Sequence, residues 1–185
     1  MRKLLHNPLG LLIILFIAGC TSHLAEFSLP KEIKFQDKTF QQVTNNKLDE
    51  MQQSLYLESH SAKDPDNWQE GFLLFLDKNS DGKTLQDRLT LRQNIFQQQD
   101  KTIASLKIEQ GELRSQIIYP PTERFNDIQL EVSRGQNSQC GYSQMQFSNK
   151  RSVTGNNLQN LAMYQTELIS LAEQLSVMPW IIECK

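Results

Sequence analysis

IASLKIEQGELRSQIIYPPTERFNDIQLEVSRGQNSQCGYSQMQF, residues 103–147, is the stretch whose reading decides the fold. Ala104, Leu106 and Ile108 alternate with polar residues, Gln110-Gly111 supplies turn chemistry, and Leu113, Ile117 and Tyr119 carry the apolar pattern up to Pro120-Pro121. A period of two is the pleat of a half-buried strand, so the segment reads as a β-hairpin. Ile128, Leu130 and Val132 alternate again, Arg134 to Ser138 reads as a turn, and Gln139 to Phe147, which contains Cys140, reads as the antiparallel partner. Four consecutive strands predict a meander.

Upstream of the meander the signals are helical. Asp64-Pro65-Asp66-Asn67-Trp68 offers an initial proline and a cap at Asn67 with Glu70 three residues on, and Trp68, Phe72, Phe75 and Leu76 recur at helical spacing. After a polar break at 77–83, Thr84 with Asp87 forms a second capping box and opens a helix to about Gln99 with a stripe of Leu85, Leu89 and Phe96. Together these predict a helical hairpin. Residues 49–58 fit a strand or a short helix and are read as a strand. Downstream, Thr154 or Asn156 caps a long amphipathic helix carrying Leu158, Leu161, Tyr164, Leu168, Leu171, Ala172 and Leu175, and Trp180 to Cys184 is short and β-prone. The expected fold class is therefore α+β: an antiparallel sheet of about 4–6 strands with the helical hairpin and the long C-terminal helix packed on it.

Composition bounds the partners. The chain has 185 residues, 38% of them hydrophobic and 22% charged, and its mean hydropathy of -0.50 predicts a very polar surface. Of its 19 Lys and Arg, two (Arg2 and Lys3) fall in the first twenty residues, leaving 17 against 21 Asp and Glu. A remainder with net negative charge and no basic stripe argues against nucleic acid.

The N-terminus carries the most specific motif. Arg2 and Lys3 precede an apolar run from Leu9 to Ile17, which is too short to span a bilayer and has the layout of an export signal. Ile17-Ala18-Gly19-Cys20 resembles the lipobox of bacterial lipoproteins. The resemblance implies cleavage between Gly19 and Cys20, diacylglycerol on the Cys20 thiol, and acylation (palmitate or a similar chain) of the new amino group. Two or more acyl chains anchor a protein stably, whereas one does so marginally. Thr21 stands where an Asp marks inner-membrane retention in many Gram-negative lipoproteins, so the resemblance implies the outer membrane. The expected organisation is a signal peptide at 1–19, a lipidated cysteine and tether at 20–46, and a single α+β domain at 47–185. No family is recognised for residues 21–185.

Two further cysteines, Cys140 and Cys184, suit an exported protein with one disulfide, which would close 44 positions. Asp77-Lys78-Asn79-Ser80-Asp81-Gly82 resembles the first half of an EF-hand calcium loop, with oxygen donors Asp77, Asn79 and Asp81 followed by Gly82. Position 12 of that loop is Arg88 where the family has a bidentate Glu, so the segment reads first as a solvated turn, with calcium a minor alternative and no other cofactor expected. No catalytic motif is found, and Glu123, Asp127 and Glu131 read as a solvated strand face. Tyr119-Pro120-Pro121 with Arg124 and Phe125 reads as a strand-ending turn or an exposed recognition loop.

The expected function is a non-enzymatic envelope lipoprotein, anchored by its lipid and binding another envelope protein. The alternatives are a periplasmic inhibitor or immunity-type protein, a calcium-binding module, and a lipid-anchored hydrolase. A deep pocket holding two convergent titratable groups is what would favour the hydrolase.

Overall fold

The computed structural model describes residues 25–123, 125–155 and 158–185. The expected signal peptide with Gly19 and Cys20, and residues Arg124 and Asn156, lie outside them. In chain order the elements are β1 (Phe27–Ser28), β2 (Glu32–Phe35), β3 (Lys38–Leu48), β4 (Met51–Glu58), β5 (Glu70–Asp77), α1 (Leu85–Gln97), β6 (Ile103–Glu109), β7 (Glu112–Tyr119), β8 (Asp127–Ser138), β9 (Gly141–Ser152), α2 (Gln165–Val177) and β10 (Glu183–Cys184). Strands β2 to β9 make one eight-stranded antiparallel sheet in the order β2-β3-β4-β5-β9-β8-β7-β6, curled into a half-barrel. This overturns the α+β expectation: the described residues are mostly β, 47% strand against 19% helix, with two short α-helices among them.

The helical hairpin is the first correction. Residues 70–77 form β5, a central strand between β4 and β9. Phe72, Leu74 and Leu76 are buried in the core, while Leu73 and Phe75 face the other side half-buried. A run apolar on both faces mimics helical spacing, and only its neighbours distinguish the two. Gly71 belongs to the strand as well, since a Cβ there would stand 3.1 Å from the Tyr56 carbonyl oxygen of β4.

The second correction concerns residues 20–46, expected as a tether. Within them β2 and most of β3 are sheet strands joined by a tight turn, Gln36-Asp37, with positive φ at both residues. Ile33, Phe35 and Phe40 are buried in the core. The polar composition reflects an edge position, where one face of each strand stays in water.

The meander lies where the alternation places it, with one shift. β8 continues through Arg134 to Ser138, and the turn falls at Gln139-Cys140. α2 is shorter than expected: Tyr164 is its N-cap, a 3-10 turn at Leu161–Tyr164 precedes it, and Leu158 is exposed. Its inner face, Leu168, Leu171 and Leu175, covers the core side of the sheet over β7 and β8. Arg134 fastens the helix end, donating to the carbonyls of Leu175 (3.0 Å) and Met178 (2.7 Å).

The C-terminal strand pairs with β1, with Phe27 opposite Cys184. The Cys140–Cys184 disulfide, with Cα atoms 5.7 Å apart, ties this small sheet to the β8–β9 turn. Replacing both cysteines by serine should lower stability by roughly 3–4 kcal/mol, as expected for a loop of this length. Urea denaturation with and without reductant checks this, since the double variant should be insensitive to reductant.

Candidate functional site

A period-two strand with an apolar core face must carry its remaining side chains on the opposite face. On β9 the core face has Met145 and Phe147, so Tyr142, Gln144, Gln146, Ser148 and Lys150 share the other. The registers add Ser133 and Glu131 from β8, and Ser115 and Tyr119 from β7. Helix α1 crosses above them, near β6 and β7.

The capping box expected at Thr84 is present, with the Asp87 amide donating to Thr84 Oγ1 (3.1 Å) and Asp87 accepting from the Thr84 amide (2.8 Å). The helix has no buried residue. Leu85, Leu89 and Phe96 are half-buried as the stripe implies, but Arg88 and Arg92 share that inner face. α1 is therefore held to the sheet largely by polar contacts. Arg92 donates to Gln144 Oε1 (3.2 Å) and Ser115 Oγ (3.3 Å), and the Arg88 guanidinium lies 4.1 Å from the centre of the Tyr142 ring.

Arg88 also settles what the calcium-like loop does with its donors. Its Nη2 donates to Asp77 Oδ2 (2.7 Å) and Asn79 Oδ1 (2.8 Å), while Asp81 accepts from Lys83 (2.9 Å). A guanidinium thus engages two of the three oxygens proposed for the cation. Burial alone would raise the Asp77 carboxyl, but the hydrogen bonds from Arg88 and the Asn79 amide and the nearby charges hold it below its ordinary value. Among the described residues no group of three or more His, Cys, Asp or Glu side chains could hold a metal.

Between α1 and the sheet lies a pocket of about 710 Å³. Its apolar lining comes from Met51, Phe75, Leu91, Ile95, Phe96 and Tyr119, and Glu131 and Gln144 lie at its base. Glu131 is 5% exposed, which corrects its reading as part of a solvated face. It accepts from Gln146 (2.9 Å) and is hydrogen-bonded to the Tyr119 hydroxyl, and Arg92 stands 3.9 Å away. Burial pushes its carboxyl up to about 7, against the opposing Arg92 charge and the hydrogen bonds from Gln129 and Tyr119. Gly135 keeps the base open for Tyr142, because a Cβ there would overlap the phenol ring. The sequence held one usable signal for this site: the polar alternation of residues 142–150 opposite an apolar one. Glu123, Phe125 and Asp127 do not line this pocket, and the Thr122 amide donates to the Phe125 carbonyl (2.8 Å) in a turn beside it.

Glu131 has a testable pH signature. Its folded value lies above the ordinary 4.5, so the folded state loses stability as pH rises through about 4.5–7, and the loss is complete above that window. The stability of Glu131→Gln relative to the native chain should therefore increase by up to about 3 kcal/mol from the bottom of that window to the top. Urea midpoints across the pH range check this; a flat difference would contradict it.

Comparisons with known proteins add a family. An uncharacterized protein of Haemophilus influenzae is 24% identical over 147 residues, which cover 76% of this chain and 75% of that one. No solved structure matches the chain. A protein-family model matches residues 27–180, which spans the sheet, both helices and the pocket, and fills the gap left where sequence patterns named no family for residues 21–185. The chain belongs to that family.

Proposed function

We propose that this protein is a lipid-anchored envelope lipoprotein whose folded domain is a binding module, with the pocket under α1 as its recognition site. The observation that carries the reading is the pocket's construction: a volume typical of ligand sites, an apolar wall over a polar base, and a rim of exposed apolar side chains at Met51, Leu91 and Ile95. Leu48, 68% exposed, pairs with Met51 and extends the rim. The lipobox resemblance supports the anchor. Glu26, whose backbone pairs with Lys185, lies six positions after Cys20, and six residue steps span at most about 20 Å. A lipid on Cys20 would therefore hold the domain close to the bilayer, in contrast to the long tether expected from residues 20–46.

The hydrolase alternative gains one observation, since Glu131 and Tyr119 are two titratable groups converging on the pocket. Hydrolysis of an envelope substrate that is lost in Glu131→Gln would favour it over binding alone.

Two measurements test the main reading. Mass spectrometry of the membrane-extracted protein should find Cys20 as an acylated N-terminus; an intact thiol there would refute the anchor. A photoreactive phenylalanine analogue at Leu91 should form adducts in intact envelopes, and one at Val177, 82% exposed on α2, should not. Equal labelling at both positions, or none at either, would refute the pocket as the recognition site.

A further inference from the structure

We infer that the ligand of this cleft is an extended, uncharged oligosaccharide chain lying along β9 from Trp68 to α1; the inference rests on the pocket being the recognition site. The pocket is one end of a longer groove. Next to it is a cavity of about 280 Å³ that shares Tyr119 and Glu131 with it, and beyond that one of about 320 Å³ that shares Asp127 and Lys150 with the second. The side chains of Tyr142, Gln144, Gln146, Ser148 and Lys150 run beneath the series at steps of two residues, which spans roughly 27 Å.

The lining has two repeating components. Aromatic rings flank the groove: Phe75 lies against Tyr142 and Phe96 against Tyr119 at one end, and Trp68 with Phe125 stands beside Lys150 at the other, the Lys150 ammonium 3.9 Å from the Trp68 ring centre. Between them lie planar polar side chains held in place by one another. Gln144 donates to Gln146 (3.2 Å), Gln146 to Glu131, and Arg92 to Gln144, with Gln129 and Gln146 still part-exposed. A pyranose ring has an apolar face that stacks on an aromatic ring and a rim of hydroxyls that suits planar amide, carboxyl and guanidinium groups. Side chains that are already oriented lose little entropy on binding such a ligand.

Two features disfavour other occupants. An extended peptide is usually bound through its backbone at a free strand edge, but the floor strands β5, β9, β8 and β7 are each paired on both sides. A polyanion needs an excess of cations, but the basic residues lining the groove, Lys83, Arg88, Arg92 and Lys150, are matched in number by Asp77, Asp87, Glu131 and Asp127.

The test titrates the detergent-solubilised full chain with linear hexamers of N-acetylglucosamine and of glucose, followed by calorimetry and by the emission of Trp68. Trp180, the other tryptophan, lies against Arg134 on the core face, so Trp180→Phe isolates the signal. At least one hexamer should bind saturably and with no dependence on added salt, and Trp68→Ala and Tyr119→Ala should each weaken binding about tenfold. Silence with both hexamers, binding that salt abolishes, or binding that both variants leave unchanged overturns the inference. If the Leu91 probe labels a partner while both hexamers are silent, the cleft remains a recognition site and the oligosaccharide is excluded; if both fail, both readings fall.

Discussion

Four phenylalanine rings decide which side of the sheet is inside. Phe35, Phe40, Phe72 and Phe147 come from β2, β3, β5 and β9; Phe72 and Phe147 lie against each other and each against both Phe35 and Phe40, with centroids 4.9–6.0 Å apart in tilted and edge-on contacts. Each such pair contributes about 0.5–1.5 kcal/mol beyond simple burial. The larger effect is on register. Because side chains alternate across a strand, a slip of one residue in β9 would send Phe147 and Met145 out and draw Gln144, Gln146 and Ser148 into the core. The aromatic cluster therefore makes the opposite face polar, and the groove under α1 follows from that.

The two faces are finished differently. On the core side α2 buries Leu168, Leu171 and Leu175, and Arg134 ties its C-terminal carbonyls to β8. The small β1–β10 sheet is held close by the Cys140–Cys184 bond. On the polar side α1 buries nothing fully and is held by arginines reaching down to Asp77, Gln144 and Ser115. A helix attached in this way leaves space beneath it. Apolar burial is non-directional and closes gaps, whereas long charged side chains bridge them.

Glu131 shows how the tertiary setting changes the meaning of a residue. In the sequence it is one carboxylate among several on a strand whose outward positions are polar. In the fold that outward face is covered, and the carboxyl is surrounded by Tyr119, Gln129, Gln146 and Arg92. Asp77 shows the same effect with opposite sign, because Arg88 engages it directly. The spacing of residues 77–82 resembles that of a calcium loop, but the cation its oxygens meet comes from position 88.

Local patterns in the sequence determined the hairpins of residues 103–147, the capping box at Thr84, the inner face of α2 and the candidate cysteine pair, because turn chemistry, alternation and capping depend on near neighbours. The lipobox resemblance at Cys20 also belongs to the sequence alone. Only the tertiary structure decided that residues 70–77 are a central strand, that residues 32–48 belong to the sheet and that β10 pairs with β1. An apolar run has no intrinsic period, a polar segment can still place Ile33, Phe35 and Phe40 inside, and a two-residue strand exists only through its partner. The groove was decided at the same level. Its residues come from six elements, β4, β5, α1, β7, β8 and β9, and their common face is set by the register that the phenylalanine cluster imposes.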